Sequence, residues 1–129
     1  ALGRAYLSAL DPQERTQLID TLHLSRSSEW PRLSPGLTRS LEEARQLGYC
    51  ASLGEFHREI GSIAVPIVGP SGEVMALNCG GPAFLFTEER LRGEVAPHLI
   101  AVAKVIAEEI GGSVPGPVEP MPPSRPADR

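Results

Sequence analysis

The groups with chemistry to offer are two cysteines, Cys50 and Cys79, and three histidines, His23, His57 and His98. Nucleophilic catalysis would need one of the cysteines beside a base, and His57 is the candidate. Nothing local pairs them, and two lone thiols read as buried side chains of a protein from the reducing cytosol. Glu55, His57 and Glu59 alternate, so a strand there would align all three on one face. A metal would still want a further His or Cys partner, so the bland reading is a solvated, charged loop. His23 falls near a helix end and His98 falls one residue before the apolar position Leu99. Gly80-Gly81-Pro82 lacks the lysine and following hydroxyl residue of a phosphate loop. The pairs Glu42-Glu43, Glu88-Glu89 and Glu108-Glu109 lie on predicted helices away from the apolar face and read as solvated surface. Enzymatic activity is not expected from these spacings, and neither a metal nor a cofactor is implied.

A different kind of chemistry is available between Gly61 and Pro82. Ile63, Val65 and Ile67 alternate with Ala64, Pro66 and Val68, a pattern suited to a strand covered on both faces. Gly69-Pro70-Ser71-Gly72 supplies turn residues, and Glu73–Cys79 returns as the partner strand. Asn78-Cys79-Gly80-Gly81 then interrupts the apolar run where the chain is expected to leave the sheet. A polar corner beside a dry sheet face suits a small ligand. Ser62 and Asn78 would offer uncharged donors and acceptors, and the glycines would let backbone amides approach a carboxylate. The plainer reading is a bulge and a tight exit from the sheet.

Helices must position this hairpin. Apolar spacing predicts one over Ala1–Leu10. Asp11-Pro12 caps a second, running to about Leu22. A polar linker, Ser25–Ser34, holds the single tryptophan, Trp30, and Ser34-Pro35 starts a third helix ended by Gly48. Tyr49–Ala51 is a short strand, followed by a loop to Glu59. Thr87-Glu88-Glu89 opens the longest helix, with Leu91, Val95, Leu99, Val102, Ile106 and Ile110 at steps of three and four. Pro97 is expected to kink or restart it, and Gly111 to end it. Helices, an antiparallel pair and a long helix make an α+β domain over residues 1–111. Residues 112–129 are Pro-rich and aperiodic, and read as a disordered tail.

The chain has 129 residues and a formal net charge of −4, with 41% apolar residues. That suffices for one core, and the acidic balance excludes a surface built for phosphate backbones. Apolar runs are strand-length, too short to span a membrane, and no signal-peptide pattern opens the chain. The start at Ala1, inside a helical pattern, reads as a segment of a longer protein whose preceding strands would complete the sheet. An incomplete edge would otherwise favour pairing between subunits.

The run Gly48-Tyr49, Gly54-Glu55, Ile60–Pro66, Gly72-Glu73-Val74 and Ala76–Pro82 resembles the C-terminal effector-binding domain of IclR-type transcriptional regulators. Gly3-Arg4-Ala5-Tyr6-Leu7 resembles that family's opening helix, and the closing Ile110-Gly111 its final one. The resemblance implies a GAF-like fold whose curved antiparallel sheet cups a small organic acid or aromatic catabolite. Binding would alter how a separate N-terminal winged helix-turn-helix domain engages DNA. It also implies homodimers or homotetramers in the cytoplasm. Carried over by position, the pocket residues are Ser62, Asn78 and Gly80. Ala1 and Leu2 match a small-residue turn at the head of the first helix. Ser52 stands where the family often has an acid, and Glu55 is placed to compensate. The function expected is ligand sensing and oligomerisation. The alternatives are a purely structural dimerisation module or, less favoured, a small Cys/His enzyme.

Overall fold

The computed structural model describes residues 1–55 and 57–116. Three helices come first: α1 (Leu2–Ala9), α2 (Pro12–Ser25) and α3 (Trp30–Leu47). Three strands follow: β1 (Cys50–Leu53), β2 (Ile60–Val68) and β3 (Val74–Pro82). The last arm is helical throughout, as α4 (Glu88–Arg90), a π-helical turn (Leu91–Val95) and α5 (Ala96–Ile110). The strands form one antiparallel sheet in the order β1-β2-β3, so the fold is α+β as expected.

The central strand is covered on both faces, as its composition requires: Ile63 to Ile67 are all buried. Ile63, Val65 and Ile67 pack with Leu91, Leu99, Ala103 and Ala107 of the helical arm. Ala64 turns the other way, joining Ala5 of α1, Ala44 of α3 and Cys50 of β1. Each large side chain buried in the first cluster is worth about 1.5–3 kcal/mol. Small residues line the second cluster, so α1 and α3 can lie close on the sheet.

Some local boundaries depart from the sequence reading and others follow it. The polar linker is shorter than Ser25–Ser34, because α3 already starts at Trp30. The Trp30 ring stacks on His23 with centroids 4.7 Å apart, and Pro31 occupies a first-turn position where no amide is needed. Pro35 therefore lies inside the helix and costs it an internal hydrogen bond. Glu55, His57 and Glu59 fall on a bend and turn, the loop that the sequence reading preferred to a strand. The α-helix restarts at Ala96, as expected around Pro97: the π-helical turn just before it accommodates the amide-less Pro97, with the Ala96 N–H reaching back to the Leu91 carbonyl. The described chain continues past Gly111. Ser113 exchanges backbone hydrogen bonds of 2.7 and 2.8 Å with Val68, and Val114 packs on the α5-side core. Most of the expected tail, from residue 117, lies outside the described residues.

Candidate ligand-binding site

Directly opposed residues in antiparallel strands project to the same side of the sheet. The register sets Ser52 opposite Ser62, and Ser62 opposite Gly80. Two residues along, Cys50 faces Ala64, which faces Asn78. All six therefore share one face, the one covered by α1 and α3. Ala1 packs against the same cluster, whereas Leu2 is exposed. Ser52 is only 4% exposed and Ser62 is half-buried, while Asn78 and Gly80 are exposed on the outer strand.

The polar corner expected at Asn78–Gly81 is not an exit from the sheet. Pairing with β2 continues unbroken through Gly80, Gly81 and Pro82, and neither glycine has a positive φ. The turn comes later, where the Leu85 and Phe86 amides both donate to the Pro82 carbonyl. The glycines serve close packing instead. A Cβ on Gly80 would lie 2.7 Å from the Gly61 carbonyl oxygen and from Ser62 Cβ. A Cβ on Gly81 would lie 2.6 Å from the Phe86 ring on the opposite face. Backbone amides of these glycines thus belong to a strand, not to an anion-binding nest.

The charged part of the site joins Glu55, named from the sequence, to Arg4 and Arg39, to which the sequence reading gave no binding role. Arg4 Nη1 donates to Ser40 Oγ at 3.0 Å and to Glu55 Oε2 at 2.9 Å. Arg39 Nη2 donates to Glu55 Oε1 at 2.7 Å. Ser40 is fully buried, so its hydroxyl orients Arg4 from within α3. Gly36 clears the space: a Cβ there would stand 2.7 Å from Glu55 Oε1 and 3.1 Å from Arg4. A glycine inside a helical pattern is the sequence signal of such a close approach. Burial alone would raise the Glu55 carboxyl, but the two guanidiniums outweigh it and hold it below the usual carboxylate range.

A second network secures the frame. Glu43 of α3 accepts from the Ala51 amide at 3.0 Å and from Arg92 Nη1 at 2.9 Å. It ties β1 to α3 and both to the π-helical turn. The hydrogen bond from Arg92 to Glu43 outweighs burial and raises the guanidinium further, so it stays charged.

The cysteines lie on opposite faces, since Cys79 opposes Ile63 and Cys50 opposes Ala64. Cys50 Sγ donates to the Ala1 carbonyl at 3.4 Å, and burial pushes its thiol up to about 11. A neutral, buried thiol is a poor nucleophile. His57 is exposed, its Nδ1 accepting from the Glu59 amide at 3.4 Å. Among the described residues no three His, Cys, Asp or Glu side chains are grouped to hold a metal, and no helix is long and apolar enough to cross a membrane. One groove of about 450 Å³ runs between α1, α3 and Pro66. Another of about 430 Å³ separates α1 from α2. Neither is lined by Ser52, Ser62, Asn78 or Gly80.

Comparison with known proteins decides the family. The model described as bacterial transcriptional regulator IclR C-terminal matches residues 1–108. The chain belongs to the IclR family. An IclR-family transcriptional regulator from Brucella abortus superposes with a TM-score of 0.80 at 37% identity, over 84% of this chain and 41% of that one. The Pca regulon regulatory protein of Pseudomonas putida is 27% identical over 114 residues, covering 87% of this chain and 39% of that protein. A double mutant of the PobR inducer-binding domain from Acinetobacter, in complex with 3-hydroxybenzoic acid, shares the fold. Its TM-score is 0.61 at 24% identity, over 81% of this chain and 61% of that one. The chain thus spans about two-fifths of the length of the Brucella and Pseudomonas relatives.

Proposed function

We propose that this chain is the effector-sensing and oligomerising part of a transcriptional regulator. In this reading it binds a small organic acid or aromatic catabolite, and a separate N-terminal domain contacts DNA in the cytoplasm. The observation that carries the reading is the register. It aligns Ser52, Ser62 and Gly80 in one row and Asn78 in the next, on the sheet face that also meets Ala1. Ser62 and Asn78 supply neutral donors and acceptors, and Arg4, Arg39 and Glu55 supply charge at the margin. Ser52, an uncharged hydroxyl in that row, sets no negative charge of its own against a ligand carboxylate.

Thermal-shift titration with a panel of carboxylates tests this. Benzoates come first, because the PobR complex holds 3-hydroxybenzoic acid. A ligand at about 100 times its Kd adds about 2.7 kcal/mol of stability, an effect S62A and N78A should each diminish. If no acid shifts the wild-type transition, the sensing reading fails.

A second reading, a structural dimerisation module, is favoured by two facts. Gly80 and Gly81 lie in an unbroken ladder, and the described grooves lie away from the named residues. It predicts an oligomer unchanged by any ligand.

A further inference from the structure

We propose that Arg4 and Arg39 form the carboxylate-recognition element of this domain, with Glu55 as a resident occupant that a ligand carboxylate replaces. The inference rests on the effector-binding reading above and assigns its charge recognition to residues of two helices.

Three features of the cluster point this way. Among the described residues, the ion pairs of Arg4 and of Arg39 are both with Glu55, one guanidinium on each oxygen. Two cations facing one anion leave a net positive charge, which draws an incoming carboxylate to the guanidiniums whose hydrogen bonds it would take over from Glu55. The cluster is also cleared and braced: Gly36 withholds a side chain where it would collide with Glu55, and buried Ser40 fixes one Arg4 nitrogen. Such bracing pre-orients the guanidinium. Finally, Glu55 sits beyond the end of β1, three residues after Ser52, and Arg4 lies one turn along α1 from Ala1. The cations therefore border the end of the sheet face where Ser52 and Ser62 stand.

Exchange is energetically feasible. The Arg39 side chain is 63% exposed, and an ion pair at the solvent boundary contributes little net stability. Replacing one carboxylate by another conserves the charge-assisted hydrogen bonds. Glu55 follows Gly54, whose φ of 71° marks a sharp backbone turn after β1. Once displaced, Glu55 would no longer fasten its own bend to α1 and α3, so occupancy would be read out as release of Glu55 from the two helices.

The test is calorimetric titration of benzoate and pyruvate into the full chain and its E55Q and R39Q variants, with benzamide as the uncharged control. E55Q keeps the shape of the occupant but removes its charge. An acid that binds wild type should bind E55Q about three- to tenfold more tightly and R39Q correspondingly more weakly, with benzamide indifferent to both changes. If wild type binds an acid but E55Q matches it within about twofold or binds it less well, the exchange is overturned and the sensing reading stands. If neither acid binds any of the three proteins, both readings fall. Should E55Q not fold, R39Q decides: Arg39 is largely exposed, and an affinity unchanged by its loss also overturns the proposal.

Discussion

Cys50 is fully buried under α1, and its thiol, pushed up to about 11 by that burial, stays protonated at neutral pH. Iodoacetamide at about pH 8 should therefore leave Cys50 unmodified in the native protein and label it once denaturant is added, as mass spectrometry would show. Rapid native labelling would revive the Cys/His enzyme reading. The sign of the linkage follows: the folded value lies above the usual 9.0, so this group's contribution to stability is intact below pH 9 and is lost as pH rises towards 11. At this scale the sequence was half legible. Alternation along β2 and β3 is enough to bring Ser62, Asn78 and Gly80 to one face. The Arg4–Glu55 and Arg4–Ser40 contacts join residues 51 and 36 positions apart, and no local pattern encodes such pairings.

Elements were legible where one signal dominated. Asp11 caps α2 by accepting from the Gln13 amide at 3.2 Å, and Thr87 caps α4 by accepting from the Arg90 amide at 3.3 Å. The early start of α3 was not legible, because a tertiary stack of Trp30 on His23 overrides the polar composition of that stretch. Nor was the continuation of β3. Glycines that suggested an exit instead make room for Phe86: a Cβ on Gly61 would stand 2.5 Å from the Phe86 carbonyl oxygen, and one on Gly81 would meet its ring. These contacts rank two substitutions. G61A presses on backbone and should cost about 1–3 kcal/mol, whereas G81A presses on a ring that can rotate and should cost less. Urea melts of the two variants would reveal the order.

For the whole molecule, the order of helices and strands and the single antiparallel sheet follow from periodicity and turn residues. Which helices cover which face does not, since small residues at Ala5, Ala44 and Ala64 allow the approach without announcing it. The sheet is lopsided. Its nine-residue outer strand, β3, has no further partner among the described residues, and Met75 on it is 38% exposed. A long unpaired edge invites another strand. The chain should self-associate with rising concentration, and M75K, a gatekeeper charge on that strand, should weaken association while leaving the melting curve nearly unchanged. Sedimentation equilibrium would measure both proteins; identical behaviour would show that β3 is not the contact.

The bridge between Val68 and Ser113 fastens the far end of the helical arm to the end of β2, while Phe86 lies against Gly61 near that strand's beginning. An arm pinned at both ends behaves as a buckled strap. It cannot unravel residue by residue from its C-terminal side, because its last turn is held by the same strand that forms the core. The Val68 and Ser113 amides should therefore exchange with deuterium as slowly as those of the central strand, in one cooperative opening.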